Sequence, residues 1–307
     1  MIPPRPNAVV AEGVVLVGVL GLGRAGCAFV RSLHAAGISV VASSSSAHVR
    51  REMSPLLQEP AFAQSAELVA FVAAKKNALL LIAVADDAIS AVADEVAAFP
   101  EALLRVAHCC GSKAADVLAA FGEGVEIAVI HPMAALQSDA PIPQGTLVAV
   151  EASSDAFAED LLTLATRIGG ICTRRKVGEH AAYHCAAVTA GNLAVGLLQY
   201  GVELLGQAGI DEDTARKGLA HLLVTTATAA AEKPLANALT GPVARGDVRT
   251  IDAHLEVLEE HPGIDRVYRD LSLKLCDVVQ DAATGLEDKK KGNVEELRML
   301  LTKLKIR

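Results

Sequence analysis

From residue 14 to about residue 150, short apolar runs alternate with amphipathic stretches. The runs are VVLVGVL, ISVVAS, ALLLIAVA, LLRVAH, VEIAVI and TLVAV; helical spacing fills 24–36, the stretch before ALLLIAVA, the segment after Asp87, and 113–121. Strand alternating with helix predicts a parallel sheet covered on both faces. A helix over 157–168 and a strand over 171–174 complete this pattern. From Gly178 onward only long Ala- and Leu-rich helical periods remain, broken at Gly209, Pro234, Gly241-Pro242 and Pro262-Gly263. The expected division is an α/β domain over 1–176 and an all-helical domain over 177–307, with the lysine run Lys289 to Lys291 in a solvated turn before a last amphipathic helix.

One stretch, 185–202, runs eighteen residues without a charge, near the length of a membrane span. Asn192, Gln199 and several glycines interrupt it, and a helix buried on all sides of a helical domain explains the pattern without a bilayer. The expectation is therefore no membrane partner.

Composition adds limits. A chain of 307 residues suggests two domains, and 52% hydrophobic residues with only 3% aromatics and no Trp imply a core of Ala, Val, Leu and Ile. Disordered, collagen-like and disulfide-scaffold classes are excluded. The formal charge of -8 argues against a nucleic-acid partner and leaves a small molecule as the expected ligand. Six cysteines form no CxxC pair and no zinc-type Cys/His spacing, so no metal is expected and the thiols read as reduced and cytoplasmic. Cys109 and Cys110 read as small buried hydrophobes. The start MIPPRPNAVV is a poor signal peptide and is expected to stay on the chain.

The strongest local signal is GLGRAG, residues Gly21, Leu22, Gly23, Arg24, Ala25 and Gly26, directly after VVLVGVL and opening a helix. In GxGxxG the first glycine allows the tight turn, the second lets a pyrophosphate approach the backbone, and the third lets helix and strand pack closely. The helix N-terminus adds N–H groups and positive dipole. This predicts a Rossmann-type dinucleotide site. After the second strand, where an acidic residue would bind the ribose of NAD, the chain reads Ser43, Ser44, Ser45 and Ser46, followed by Arg50 and Arg51. Hydroxyls with a guanidinium suit a 2'-phosphate, so the expected cofactor is NADP(H). Val84 and Ala85, ending the next strand, should pass close to it, while Asp86 and Asp87 are expected to cap the helix that follows.

Among chemistry candidates, His131 in HPMAAL ends a core strand and carries an imidazole that titrates near neutral pH, as a proton donor to an incipient alkoxide must. His108, at another strand end, is the weaker candidate. In YHCAAVTAGN, His184, Val188 and Asn192 follow at spacings of four, which places His184 and Asn192 on one helix face about 12 Å apart. A polar pair in an apolar helix suggests a cleft. In ALTGPVARGD, Arg245 could bind a substrate carboxylate, or else form an inter-helix salt bridge, and Asp247 is an apt N-cap.

In this order, GLGRAG, AVADDAI, HPMAAL, YHCAAVTAGN and ALTGPVARGD resemble the Rossmann-like oxidoreductases whose C-terminal part is called domain of unknown function 2520. That family is similar to ketopantoate reductase, pyrroline-5-carboxylate reductase and the 6-phosphogluconate dehydrogenase superfamily. The resemblance implies a helical C-terminal domain that often dimerises, hence a homodimer. The chain departs from the family pattern at Cys110, Ala134 and Ala85, and Val188 stands where related hydroxyacid dehydrogenases carry the lysine of KxxxN, although Asn192 fits the asparagine. HPMAAL also resembles HPMAG of prephenate and arogenate dehydrogenases, whose histidine is the acid/base group, which points to His131. The expected function is NADP(H)-dependent hydride transfer to or from a small carbonyl, imine or hydroxy acid. In this reading His131 carries the proton and His184 and Asn192 orient the substrate. The alternative is a nucleotide-binding sensor or dimeric regulatory protein without turnover, favoured by the missing lysine.

Overall fold

The computed structural model describes residues 14–99, 103–281 and 288–303. The N-terminal stretch judged a poor signal peptide lies outside them, apart from its neighbours from Val14 on. The chain divides into two compact units, Met1–Leu193 and Ala194–Arg307.

In the first unit the strands are β1 (Leu16–Leu20), β2 (Ser39–Ser43), β3 (Ala78–Ile82), β4 (Arg105–His108), β5 (Glu126–Pro132), β6 (Leu147–Ala152) and β7 (Ile171–Arg174), in the sheet order β2-β1-β3-β4-β5-β6-β7. The helices are α1 (Arg24–Ala35), α2 (Ala47–Met53), α3 (Ser65–Ala73), α4 (Ile89–Ala97), α5 (Asp155–Arg167) and α6 (His180–Ala190). Every residue of β1 and β3 is buried, as the continuous apolar runs require of strands covered on both faces. One core layer packs α1 and α5 on the sheet through Phe29, Leu33, Phe157 and Leu161; the other packs α3 and α4 through Leu68, Val72, Ile89 and Val96. Gly18 in β1 makes room for Val72, because a Cβ there would overlap that side chain.

The sheet is not wholly parallel. β5 and β6 run antiparallel, with His131 opposite Ala149. Residues 133–146 form no crossover helix of the kind that usually joins parallel neighbours, consistent with a return beside β5. The expected helix over 113–121 is a 3-10 segment, Ala115–Phe121, ending at Gly122 with a φ of 76°.

The change from strands to helices falls after Arg174, but α6 belongs to the first unit, which ends at Leu193. The second unit contains α7 (Asn192–Gln207) from Ala194 on, α8 (Glu212–Glu232), α9 (Leu235–Ala238), α10 (Pro242–Arg245), α11 (Val248–Leu258), α12 (Pro262–Asp281) and α13 (Asp288–Thr302). Its core gathers Val243, Ile251, Leu255, Cys276 and Leu297 from the last four of these. The backbone of Lys289 to Lys291 lies within α13 instead of a turn before it.

The uncharged stretch differs most from expectation. The run His180–Gln207 is long and apolar enough, by length and composition, to cross a membrane, yet none of its most apolar window is buried. Neither α6 nor α7 contains a buried residue, so burial on all sides within this chain is incorrect.

Candidate active site

The GLGRAG turn joins β1 to α1. Gly21 has a φ of 99°, and a Cβ there would stand 2.9 Å from the Ala83 carbonyl. Its N–H donates to the Ser43 carbonyl at 3.2 Å, while Ala83 N donates to Leu20 O at 2.8 Å, so β2, β1 and the end of β3 meet under the turn. A Cβ on Gly26 would collide with the Gly21 carbonyl, which fixes the close approach of α1. Gly23, the N-cap of α1, has open space where a side chain would be, and no side chain caps the helix. Leu22 is buried and Arg24 exposed, with Ala25 between these extremes. The residues thus present free helix-end N–H groups to an open approach, which fits a pyrophosphate.

Beside it, Ser43 is buried at the end of β2, Ser44 is half-buried and Ser45 is exposed. Ser46 caps α2 by accepting from Val49 N. Arg50 Nη1 donates to the Ser44 and Ser45 carbonyls at 2.5 and 3.0 Å, so this arginine also braces the serine loop. Val84 Cγ1 lies 3.0 Å from the Cβ position of Gly21, and Ala85 is exposed. Asp86 and Asp87 open a 3-10 turn without any side-chain cap bond, contrary to their expected capping role.

His131 sits near the carboxyl end of β5, partly buried. Its Nδ1 lies 2.9 Å from the Tyr183 hydroxyl, and the two rings meet edge to face with centroids 5.5 Å apart. A Cβ on Gly111 would come within 2.8 Å of His131 Nε2, so the loop after β4 must be bare there to admit the imidazole. Burial, then the Arg175 and His184 charges, pull His131 down from 6.5 to about 4. That overturns the expectation of an imidazole titrating near neutrality: at pH 7 the ring is neutral and acts through an N–H and a lone pair.

His108 is fully buried and structural. Its Nδ1 accepts from Cys110 N at 3.1 Å, which leaves Nε2 to donate to Ala114 O at 3.0 Å. Burial lowers its pKa and raises those of the neighbouring thiols, Cys109 to about 12, so these cysteines are inert hydrophobes.

His184 is partly buried and near enough to His131 to interact with it electrostatically. Asn192 is exposed, and α6 ends at Ala190 with Gly191 between it and α7. The single helix face proposed for His184 and Asn192 is interrupted at that glycine, so helical spacing alone does not align them. Arg245, exposed at the end of α10 in the second unit, stands near Asp247, which caps α11 by accepting from Thr250 N at 3.2 Å.

Two residues escaped the sequence reading. Tyr183 is one of only three tyrosines and directly precedes His184, a signal that was available. The other is Arg175, buried against Glu151 with an N–O distance of 2.9 Å. Glu151, a charge at the end of the apolar run TLVAV, marked the need for a buried cation. Among the described residues no group of His, Cys, Asp and Glu could hold a metal.

A Rossmann-like domain model matches residues 1–132, and the model for a domain of unknown function, DUF2520, matches residues 146–275. The chain is a Rossmann-like protein with a DUF2520 domain. A comparison with curated proteins finds no match. Among solved structures, a candidate NADP oxidoreductase from Bacteroides fragilis is 21% identical with a TM-score of 0.62, covering 86% of this chain and 99% of its own. A Thermotoga maritima protein is 21% identical with a TM-score of 0.67, covering 87% and 99%. A Plasmodium falciparum pyrroline carboxylate reductase with NADP bound is 11% identical with a TM-score of 0.58, covering 94% and 100%. These likenesses establish the shared Rossmann-like fold with its helical C-terminal region.

Proposed function

We propose that the chain is an NADP(H)-dependent oxidoreductase that transfers hydride between the nicotinamide and a small carbonyl, imine or hydroxy-acid substrate. The observation that carries the reading is the bare, uncapped end of α1 at Gly23 together with the His131–Tyr183 pair near the carboxyl end of β5 in the same unit. Ligands of open α/β sheets sit at those strand ends. The structural neighbours described as NADP oxidoreductase and as NADP-bound reductase support the same reading.

Gly21, Leu22, Gly23, Arg24, Ala25 and Gly26 would hold the pyrophosphate, and Ser43, Ser44, Ser45 and Arg50 would bound the 2'-phosphate end. Val84 and Ala85 would line the middle. NADP(H), when bound, supplies or accepts the hydride. His131 would steady the reacting oxygen or nitrogen through one ring N–H; as that proton passes to the substrate, the other ring nitrogen, Nδ1, would take the Tyr183 hydroxyl proton, which solvent then restores. His184 and Asn192 remain candidates for orienting substrate, and Arg245 for a carboxylate. The proposed division of labour is cofactor in 1–176 and substrate or dimer in 177–307, although α6 packs within the first compact unit, which ends at Leu193.

We also propose a cytoplasmic homodimer. α7 and α8 pack together where Gly201 meets Leu219, and they leave Val195, Leu197, Leu222 and Val224 exposed. An apolar surface of this kind is covered by a second copy more readily than by water. The six unpaired thiols support a reducing compartment.

Titration with NADPH and NADH tests the cofactor, with NADPH expected to bind at least tenfold more tightly. A panel of ketopantoate, pyrroline carboxylate and prephenate with NADPH then tests turnover. Binding without substrate-dependent oxidation of NADPH across such panels would favour the sensor reading, and no NADPH binding would overturn both.

A further inference from the structure

The His131 site rests on a buried ion pair that hydride chemistry does not itself require. The Arg175 and Glu151 side chains are 3% and 4% exposed, and Arg175 Nε and Nη2 donate to Glu151 Oε2 at 3.1 and 2.9 Å. Glu151 Oε1 accepts from Ala115 N at 3.2 Å. Arg175 Nη1 donates to the Gly111 carbonyl at 2.8 Å and Nη2 to the Lys113 carbonyl at 2.9 Å. The guanidinium also lies 5.4 Å over the Tyr183 ring. Desolvation largely offsets the attraction in such a pair, so stability alone is a poor reason for it.

Its neighbours suggest a better one. Arg175 touches a neighbour of the His131 imidazole on each of its two edges. On one edge it sits over Tyr183, whose hydroxyl is 2.9 Å from Nδ1 but 3.4 Å from the His131 carbonyl oxygen. A cation over the phenol ring makes its O–H the stronger donor, which favours donation to Nδ1 over acceptance from it. On the other edge Arg175 grips the carbonyl of Gly111, the residue whose missing side chain leaves space for Nε2.

We infer that Arg175 is a positioning residue for His131: through Tyr183 it sets the hydrogen bond accepted at Nδ1, and through Gly111 it sets the backbone beside Nε2. The imidazole is then held as the Nε2–H tautomer, presenting a donor to a reacting carbonyl oxygen or imine nitrogen. The inference extends the reading of His131 as the acid/base group. The positive charge of Arg175 also opposes protonation of the ring, second only to burial, which keeps that donor neutral.

The test needs neither cofactor nor substrate. Full-length protein labelled with 15N-histidine is titrated by long-range proton–nitrogen NMR, with the His131→Gln variant used to assign the signal. The wild type is expected to show the Nε2–H pattern and to remain neutral below pH 5. Tyr183→Phe removes the donor to Nδ1 and should mix the tautomers. Arg175→Gln strands the Glu151 carboxylate, so the charge-balanced Glu151→Gln/Arg175→Gln pair is made beside it and Arg175→Lys serves as a variant that keeps the charge. Loss of the guanidinium should move the His131 midpoint measurably upward toward its ordinary value while Tyr183 remains. A wild-type Nδ1–H pattern overturns the inference, as does a folded double variant with wild-type tautomer and midpoint. NADPH titration of the wild type separately decides the proposed function: absent binding sinks that reading and leaves the NMR result standing.

Discussion

Acid should destabilise this protein through His131 by an amount that one substitution can isolate. The ring sits at about 4 in the folded chain, against 6.5 for the free side chain. Between those values the unfolded chain binds the extra proton and the folded chain does not, so the stabilisation is complete above pH 6.5 and lost as pH falls toward 4. At about 1.4 kcal/mol per pH unit, moving from pH 7 to pH 4.5 removes about 2 kcal/mol through this one group. His131→Gln retains a polar side chain for Tyr183 but cannot titrate. Denaturant unfolding of both proteins at the two pH values gives the difference directly, because His108 and every carboxylate are common to both. The wild type should lose about 2 kcal/mol more than the variant. Equal losses, within about 0.5 kcal/mol, would show that His131 titrates as an ordinary exposed imidazole and that its burial beside Arg175 has no electrostatic consequence.

Other substitutions probe the remaining geometry. Gly111→Ala should cost about 1–3 kcal/mol in thermal or denaturant unfolding, because the new methyl meets the His131 ring, and should abolish turnover while NADPH still binds. Gly21→Ala combines a strained φ with a clash at the Ala83 carbonyl; NADPH affinity by calorimetry should fall at least tenfold. Arg50→Ala should weaken NADPH more than NADH, since it removes both a guanidinium and the brace on the Ser44 and Ser45 carbonyls; equal losses would discount the 2'-phosphate role. Leu222→Glu should convert the proposed dimer to monomer in analytical ultracentrifugation without unfolding it, because that side chain is 60% exposed.

The centre of the sheet was legible in the sequence because β1 and β3 are continuous apolar runs, and burial on both faces demands that pattern; β7, ICTR, is mostly exposed and is no such run. The turn at GLGRAG was legible for a different reason: positive φ at Gly21 and close packing at Gly26 restrict the residue type at those positions. Antiparallel pairing of β5 with β6 was not, since strand composition does not encode direction; the only clue was the absence of helical spacing in 133–146. The chemistry was half legible. A histidine at a strand end is a local feature, whereas its neutral state depends on burial first and then on Arg175, 44 positions away in sequence. Spacing likewise placed His184 and Asn192 on one face, but a single residue at Gly191 interrupts the helix, and periodicity counted across a break carries no geometry.

Apolar length reports that a segment must leave water, and does not say what takes water's place. Burial by its own domain, a partner subunit and a bilayer would all select Leu, Val and Ala. α8 separates these alternatives better than α7. Charges cluster in its first turns at Asp213, Arg216 and Lys217, while Thr225, Thr226 and Thr228 donate their hydroxyls back to carbonyls of their own helix. Self-satisfied hydroxyls expose methyl groups outward, so this part of the helix is apolar without needing polar partners across an interface. Beside it, α7 contributes Val195 and Leu197 but also Gln199 and Glu203, bonded to each other at 3.3 Å on the exposed surface. A carboxylate and an amide within the same helix are costly in a bilayer and ordinary at the wet rim of a protein interface. The same features therefore favour a second copy of the chain as the medium that replaces water, and they make α7 and α8 the place to break it.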